Sequence, residues 1–171
     1  MPVLKEDTPH LSVVIPCWNE AGNLENGVLG EVRDYLQAQS FSWEVVVVDD
    51  GSTDATAEIC TRIAADSSRI TFLSQGERSG KSAALNRGLN HVTQDVVVFI
   101  DSDTTFDRDA MENLVRRFAE PRVVAVGGAL RVRNRHQNLL TEQQAIEYGQ
   151  SICLARQAKS VLEILPIISG A

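Results

Sequence analysis

Two apolar runs in this chain end in acid. Val96-Val97-Val98-Phe99-Ile100 leads straight into Asp101-Ser102-Asp103, and Trp43-Glu44-Val45-Val46-Val47-Val48 leads into Asp49-Asp50. Such runs read as strands buried on both faces, as in a parallel sheet covered by helices. Open α/β sheets bind ligands beyond the carboxyl ends of their strands, where these aspartates stand. Carboxylates at i and i+2 lean to one side while the backbone stays extended. Held together they repel, unless a cation or a proton relieves them. Hard oxygen ligands suit Mg²⁺ or Mn²⁺, and a cation there would bridge to substrate phosphates. The competing reading is a solvated strand-end turn, since Asp and Ser favour turns.

A carboxylate at the second strand end has lone pairs for a base N–H or a ribose hydroxyl. Lys81 follows the loop Gly76-Glu77-Arg78-Ser79-Gly80, and its ammonium would offset phosphate charge. In the first turn of a helix it would add to the helix's own pull on anions. Alternatively, Lys81 is an exposed helix-start lysine and Asp54 simply a helix cap. Gly76 to Ser82 also looks like a phosphate-binding P-loop. That motif needs four residues between its glycines; here there are three, and Gln75 stands where the first glycine belongs. The nucleotide reading requires the acidic tips after Val48 and Ile100 to converge on one hollow.

The elements that must position these groups are legible along the chain. Leu11 to Cys17 is a β-branched strand ended by Pro16. Leu24, Val28, Val32 and Tyr35/Leu36 recur at helical spacing, with Gly27 and Gly30 each weakening that helix by about 1 kcal/mol. Ala55, Ile59 and Ile63 mark a second helix, with Ser52, Thr53 or Asp54 as its cap. Ile70 to Leu73 is a short strand. Lys81 to Val92 is a helix with Leu85, Leu89 and Val92 on one face. Met111, Leu114, Val115 and Phe118 make an amphipathic helix. Val123 to Leu130 is expected as a further strand, and Asn138 to Leu162 as a long helical stretch with Glu142, Gln143, Glu147 and Gln150 on its polar face. Alternation of strands and helices predicts a layered α/β sheet.

The 171 residues suffice for one domain with a proper core, 43% apolar and 23% charged. A formal charge of −7 argues against a nucleic-acid partner. Cys17, Cys60 and Cys153 are odd in number and far apart with no CxxC spacing, so neither a zinc site nor a disulfide framework is suggested, and a reducing compartment fits best. Residues 1–10 read as a tail without the apolar core of a signal peptide. No run of about 18 apolar residues marks a membrane span. The last residues, Leu162 to Ala171, read as a folded element cut short, so more protein is expected downstream.

As a set, these stretches resemble the inverting family 2 glycosyltransferases with the GT-A fold, a Rossmann-like α/β/α sandwich with a mostly parallel sheet. The matching segments are Val14-Ile15-Pro16-Cys17-Trp18-Asn19-Glu20, Val47 to Asp54, Gly80-Lys81-Ser82-Ala83-Ala84-Leu85-Asn86-Arg87-Gly88 and Asp101-Ser102-Asp103. Trp18 departs from the family's usual tyrosine. The tail from Gln144 to Ala171 is similar to the membrane-bound processive branch, the poly-N-acetylglucosamine, chitin and hyaluronan synthases. The resemblance implies a UDP-sugar donor, N-acetylglucosamine in that branch, and a saccharide acceptor. It implies that Asp49, Asp50, Pro16, Asn19 and Glu20 border the nucleoside, that Lys81 lies near it, and that Asp101 and Asp103 hold Mg²⁺ or Mn²⁺ against the diphosphate. The general base is expected beyond Ala171, making residues 11–171 a donor-binding part inactive alone. The parent is expected at the cytoplasmic face of a membrane, and self-association through uncovered apolar surface is expected of the fragment. A catalytically inactive nucleotide-binding scaffold and, less so, a P-loop NTPase are the alternatives.

Overall fold

The computed structural model describes residues 10–150, which fall into two compact units, 10–119 and 120–150. The first is built on four parallel strands: β1 (Leu11–Cys17), β2 (Trp43–Asp49), β3 (Ile70–Ser74) and β4 (Val96–Phe99). Their order is β3-β2-β1-β4. Leu11 pairs with Trp43 on one side and Val96 on the other, and Cys17 pairs with Asp49 at the far end. β1 is buried at all seven positions, which is why its sequence shows no polar alternation.

Side chains nonetheless alternate between two cores. Leu11, Val13, Ile15, Cys17, Val45 and Val47 face one side, where Leu24 of α1 (Ala21–Glu25) and Leu29, Val32 and Leu36 of α2 (Val28–Gln37) pack. Ile59 and Cys60 of α3 (Thr56–Ala65) and Met111 and Val115 of α5 (Ala110–Arg116) complete that layer. Val14, Val46 and Val48 face the other side, against Ala84 of α4 (Lys81–Leu89). The chain winds β1 to β3 in one direction, then returns past β1 to β4. Right-handed crossovers put α4 on the opposite face from α2 and α3 once that direction reverses.

Several expectations are corrected. The first helix is two, α1 and α2, because Gly27 takes a left-handed φ of +86° between them; Gly30 stays inside α2. α4 ends at Leu89, short of the expected Val92, and its fully buried residues are Ala84 and Gly88; Leu85 and Val92 pack half-buried against the same core, and only Leu89 of the expected face turns outward. A Cβ at Gly88 would stand 2.4 Å from Val14 Cγ1, so only small residues fit against the sheet, and Leu89 is left 46% exposed. β4 meets both cores but less deeply than expected: Val96 and Val98 pack on one and Val97 and Phe99 on the other, the last three only half-buried, and among the described residues β1 is its sole strand partner.

The second unit carries α6 (Leu139–Glu147), opened by Asn138, whose side chain accepts the Thr141 N–H while the Thr141 hydroxyl accepts the Asn138 N–H. Val123 to Leu130 is not a strand. Its β-branched residues find no ladder among the described residues, Val124 is 85% exposed, and strand propensity expresses itself only against neighbours. The tail 1–9, the helical stretch beyond 150, Cys153 and the segment ending at Ala171 lie outside the described residues. Among those described, no helix is long and apolar enough to cross a membrane.

Candidate functional site

The loop after β1 is tied to the loop after β2. Asn19 takes a left-handed φ of 54°, which its residue type tolerates better than most. Its side-chain oxygen accepts the Thr53 N–H at 2.9 Å, and its own N–H donates to Ser52 Oγ at 2.9 Å. The Glu20 N–H donates to Thr56 Oγ1 at 2.8 Å. Asp54 accepts the Ala21 N–H at 3.2 Å on one oxygen and the Thr56 N–H and hydroxyl at 3.0 and 2.5 Å on the other. The Thr56 hydroxyl bond, chiefly, holds the Asp54 carboxyl below its usual range. The N-cap position of α3 falls on Ala55 rather than on Ser52, Thr53 or Asp54, but Asp54, one residue ahead, accepts a first-turn N–H from both α1 and α3.

Asp49 and Asp50 are 2% and 4% exposed. Carboxylates that deep must be hydrogen-bonded. Asp49 accepts the Ser52 N–H at 3.1 Å and the Ser74 hydroxyl at 3.4 Å. Asp50 Oδ1 accepts Gln75 Nε2 at 2.7 Å, the Ser79 N–H at 2.7 Å and the Gly80 N–H at 3.0 Å; Oδ2 accepts the Gly80 N–H at 2.8 Å. Asp50 therefore fixes the β3–α4 loop and puts negative charge at the start of α4, where the helix dipole favours it. Gly51, at φ +72°, lets the two loops meet: a Cβ there would lie 2.5 Å from Arg78 N. The P-loop reading fails on this geometry. Backbone amides that would cradle a phosphate, at Ser79 and Gly80, already donate to Asp50.

These loops enclose a cavity of about 340 Å³. Six residues expected from the sequence line it: Pro16, Glu20, Asp50, Lys81, Asp101 and Asp103. Asn19 and Asp49 are not on its walls; they brace the loops behind it. Trp18, Arg78, Cys17 and Ser102 line it as well, unassigned by motif spacing. The Arg78 guanidinium lies over the Trp18 ring, 3.6 Å from its centroid. An aromatic residue after Pro16 and an arginine in a glycine-bounded loop were the only signals available.

The cavity sits between the ends of β1 and β4, the point where strand order reverses. Open α/β sheets bind ligands in the crevice that opens there. A second hollow of about 480 Å³, beside Trp43, Ser67 and Arg69, lies at the amino ends of β2 and β3 and holds no paired carboxylates.

Within the cavity the Lys81 ammonium pairs with Asp101 Oδ1. Both side chains are partly exposed, 49% and 39%, so the pair contributes only ~0–1 kcal/mol. Asp101 and Asp103 offer the hard oxygen donors that Mg²⁺ or Mn²⁺ requires. Among the described residues no third His, Cys, Asp or Glu groups with them as a cage. That donor set fits a cation completed by phosphate oxygens and water, the usual arrangement for Mg²⁺. The neighbouring Cys60 thiol, and then burial, push the Cys17 thiol up, away from the thiolate that a nucleophile needs.

Residues 12–170 match the family described as Glycosyl transferase family 2. The chain is 30% identical over 161 residues to poly-beta-1,6-N-acetyl-D-glucosamine synthase of Staphylococcus aureus, covering 94% of this chain and 38% of that protein. It is 38% identical over 119 residues to glycosyltransferase GlyA of Streptococcus pneumoniae, covering 68% of this chain and 16% of that one. Among solved structures, the mannosyltransferase PcManGT from Pyrobaculum calidifontis in complex with GDP-Man and Mn²⁺ aligns with a TM-score of 0.63 and 35% identity, over 77% of this chain and 39% of that one. S. aureus TarS 1-349 in complex with UDP-GlcNAc aligns with a TM-score of 0.50 and 27% identity, over 65% of this chain and 31% of that one. The fold is thus that of the GT-A glycosyltransferases. The chain spans well under half the length of these relatives.

Proposed function

This chain belongs to glycosyl transferase family 2, and we propose that it forms the donor-binding part of an enzyme that transfers N-acetylglucosamine from a UDP-sugar to a saccharide acceptor. One observation carries the reading: Asp50, Lys81, Asp101 and Asp103, from the three segments that follow β2, β3 and β4, converge on one cavity at the reversal point of the sheet. The synthase relative and the UDP-GlcNAc complex of TarS support the choice of donor.

The residues divide the work by chemistry. Trp18 offers a flat face for the base, backed by Arg78. Arg78 and Lys81 supply cationic donors for a diphosphate. Asp50 fixes the loop that carries Arg78 and stands at the start of α4. Asp101 and Asp103 would hold Mg²⁺ or Mn²⁺, which when bound supplies counter-charge for the departing nucleoside diphosphate. Inversion at the anomeric carbon is part of the proposal, with the acceptor deprotonated by a base outside this cavity.

Calorimetric titration of UDP with and without Mn²⁺ tests the reading. UDP is expected to bind weakly alone and more tightly with Mn²⁺, with the Mn²⁺ dependence lost in Asp103→Asn. Absence of binding in both conditions would overturn it. A GDP titration run alongside addresses a second reading, favoured by the alignment with the GDP-Man complex: tighter binding of GDP than UDP would move the donor to a guanosine diphosphate sugar.

A further inference from the structure

Lys81 and Asp101 present a conflict that the cavity must resolve. The Lys81 ammonium engages Asp101 Oδ1, one of the carboxylate oxygens available to a divalent cation. An ammonium and a divalent cation on one carboxylate repel each other at close range. Each needs a partner of opposite charge, and a nucleoside diphosphate brings more than one.

We propose that Lys81 is a displaceable counter-ion: it holds Asp101 until a divalent cation arrives, then turns to the donor's diphosphate, so that cation and nucleotide bind as a coupled pair. The inference rests on the reading of the cavity as a cation-dependent nucleotide site. Three features support the exchange. Lys81 and Asp101 are both partly exposed, so the pair is hydrated and parting them strands no buried charge. Lys81 is the first residue of α4, on a stem of four methylenes, and lines the same cavity as Arg78 and Asp103. Arg78, by contrast, is stacked on Trp18 in a loop fixed by Asp50, so it is a stationary cation beside a movable one. Coupling of this kind is reciprocal: cation and nucleotide raise each other's affinity by one factor.

The distinguishing measurement is made without nucleotide. Mn²⁺ binding, followed by the electron paramagnetic resonance signal of the free ion, is compared between the native chain and Lys81→Met. Removing the competitor is expected to tighten nucleotide-free Mn²⁺ binding about two- to fivefold, the range set by a partly exposed ion pair. The same variant is expected to bind UDP more weakly in saturating Mn²⁺, so the coupling factor shrinks from both sides. Lys81→Arg should restore most of the native coupling. A simple phosphate-binding lysine would weaken UDP binding and leave nucleotide-free Mn²⁺ affinity unchanged or lower, and that result overturns the counter-ion role while sparing the site. Failure of the native chain to bind Mn²⁺ or UDP at all would overturn the site and the inference together.

Discussion

Asp50 accepts the Gly80 N–H on both of its carboxylate oxygens, at 3.0 and 2.8 Å. With the Ser79 N–H and the Gln75 amide also on Oδ1, one buried carboxylate sets the path of the loop that delivers Arg78 and Lys81 to the cavity. Asp50→Ala leaves those amides without an acceptor. It should destabilise the fold by about 2–4 kcal/mol, since hydrogen bonds to a charged group contribute more than neutral ones and orphaned donors add their own penalty. Asp103 is exposed, and Asp103→Asn should shift stability by no more than about 0.5 kcal/mol. Urea denaturation of the two variants separates them, though both are expected to weaken Mn²⁺-dependent UDP binding. Equal stabilities would contradict the structural role given to Asp50.

Gly88 lets α4 lie close to the sheet. A Cβ there would be 2.4 Å from Val14 Cγ1 and 3.2 Å from Val48 Cγ2. Gly88→Ala should therefore destabilise by about 1–3 kcal/mol as an overpacked core, despite alanine's better helix propensity. Trimming Val14 to alanine makes room, so the double variant should be more stable than the sum of the single effects. Additive effects would mean that helix and sheet are not in contact at this point.

Most of the sheet was readable because burial on both faces leaves long apolar runs, Val13 to Ile15 in β1 and Val45 to Val48 in β2, with only Ser12 and Glu44 polar near their starts. Recognising the acidic strand ends needed only the rule that ligands gather at strand carboxyl ends. What escaped were relations between segments. Asp49 and Asp50 are neighbours with the same chemistry, yet register turns Asp50 to the cavity wall and Asp49 inward beside Ser52 and Ser74. No local pattern carries that difference. Arg78 joins the site through two distant residues: Asp50, which holds its loop, and Trp18, sixty residues earlier, whose ring lies under its guanidinium. On α4 the leucine-spaced stripe tells only part of the contact: Leu85 packs half-buried and Leu89 is exposed, because Ala84 and Gly88 bring the helix closer to the sheet than a leucine face allows. Val123 to Leu130 had strand-like residues, but a strand also needs a neighbour to pair with.

Cys17 stands at the end of β1, 2% exposed, its thiol donating to the Ile15 carbonyl at 3.9 Å with the Cys60 thiol nearby. The Cys60 thiol and burial both raise its pKa. Alkylation by iodoacetamide at neutral pH should be slow in the native chain and fast once urea unfolds it. Rapid native labelling of Cys17, identified by mass spectrometry, would show the thiol to be reactive and the cavity floor open.

At the opposite end of the sheet, Glu44 gathers three segments. It accepts the Ser12 hydroxyl at 2.5 Å, the Thr93 N–H at 2.6 Å and the Thr93 hydroxyl at 2.9 Å. Burial alone would raise its carboxyl pKa, but the bonds from Ser12 and Thr93 outweigh it and hold the folded-state value below the ordinary 4.5. The unfolded chain then takes up a proton at higher pH than the folded one. Glu44's contribution is complete above the unfolded-state value and disappears as pH falls through the folded-state value. Stability measured by urea denaturation should therefore decline on acidification below about pH 4.5, with Asp54 adding to the slope in the same direction. Glu44→Gln removes one titrating group and should flatten the decline while lowering stability at neutral pH, because an uncharged amide is a weaker acceptor for the same donors. A variant profile parallel to the native one would show that the acid sensitivity of this sheet is set elsewhere.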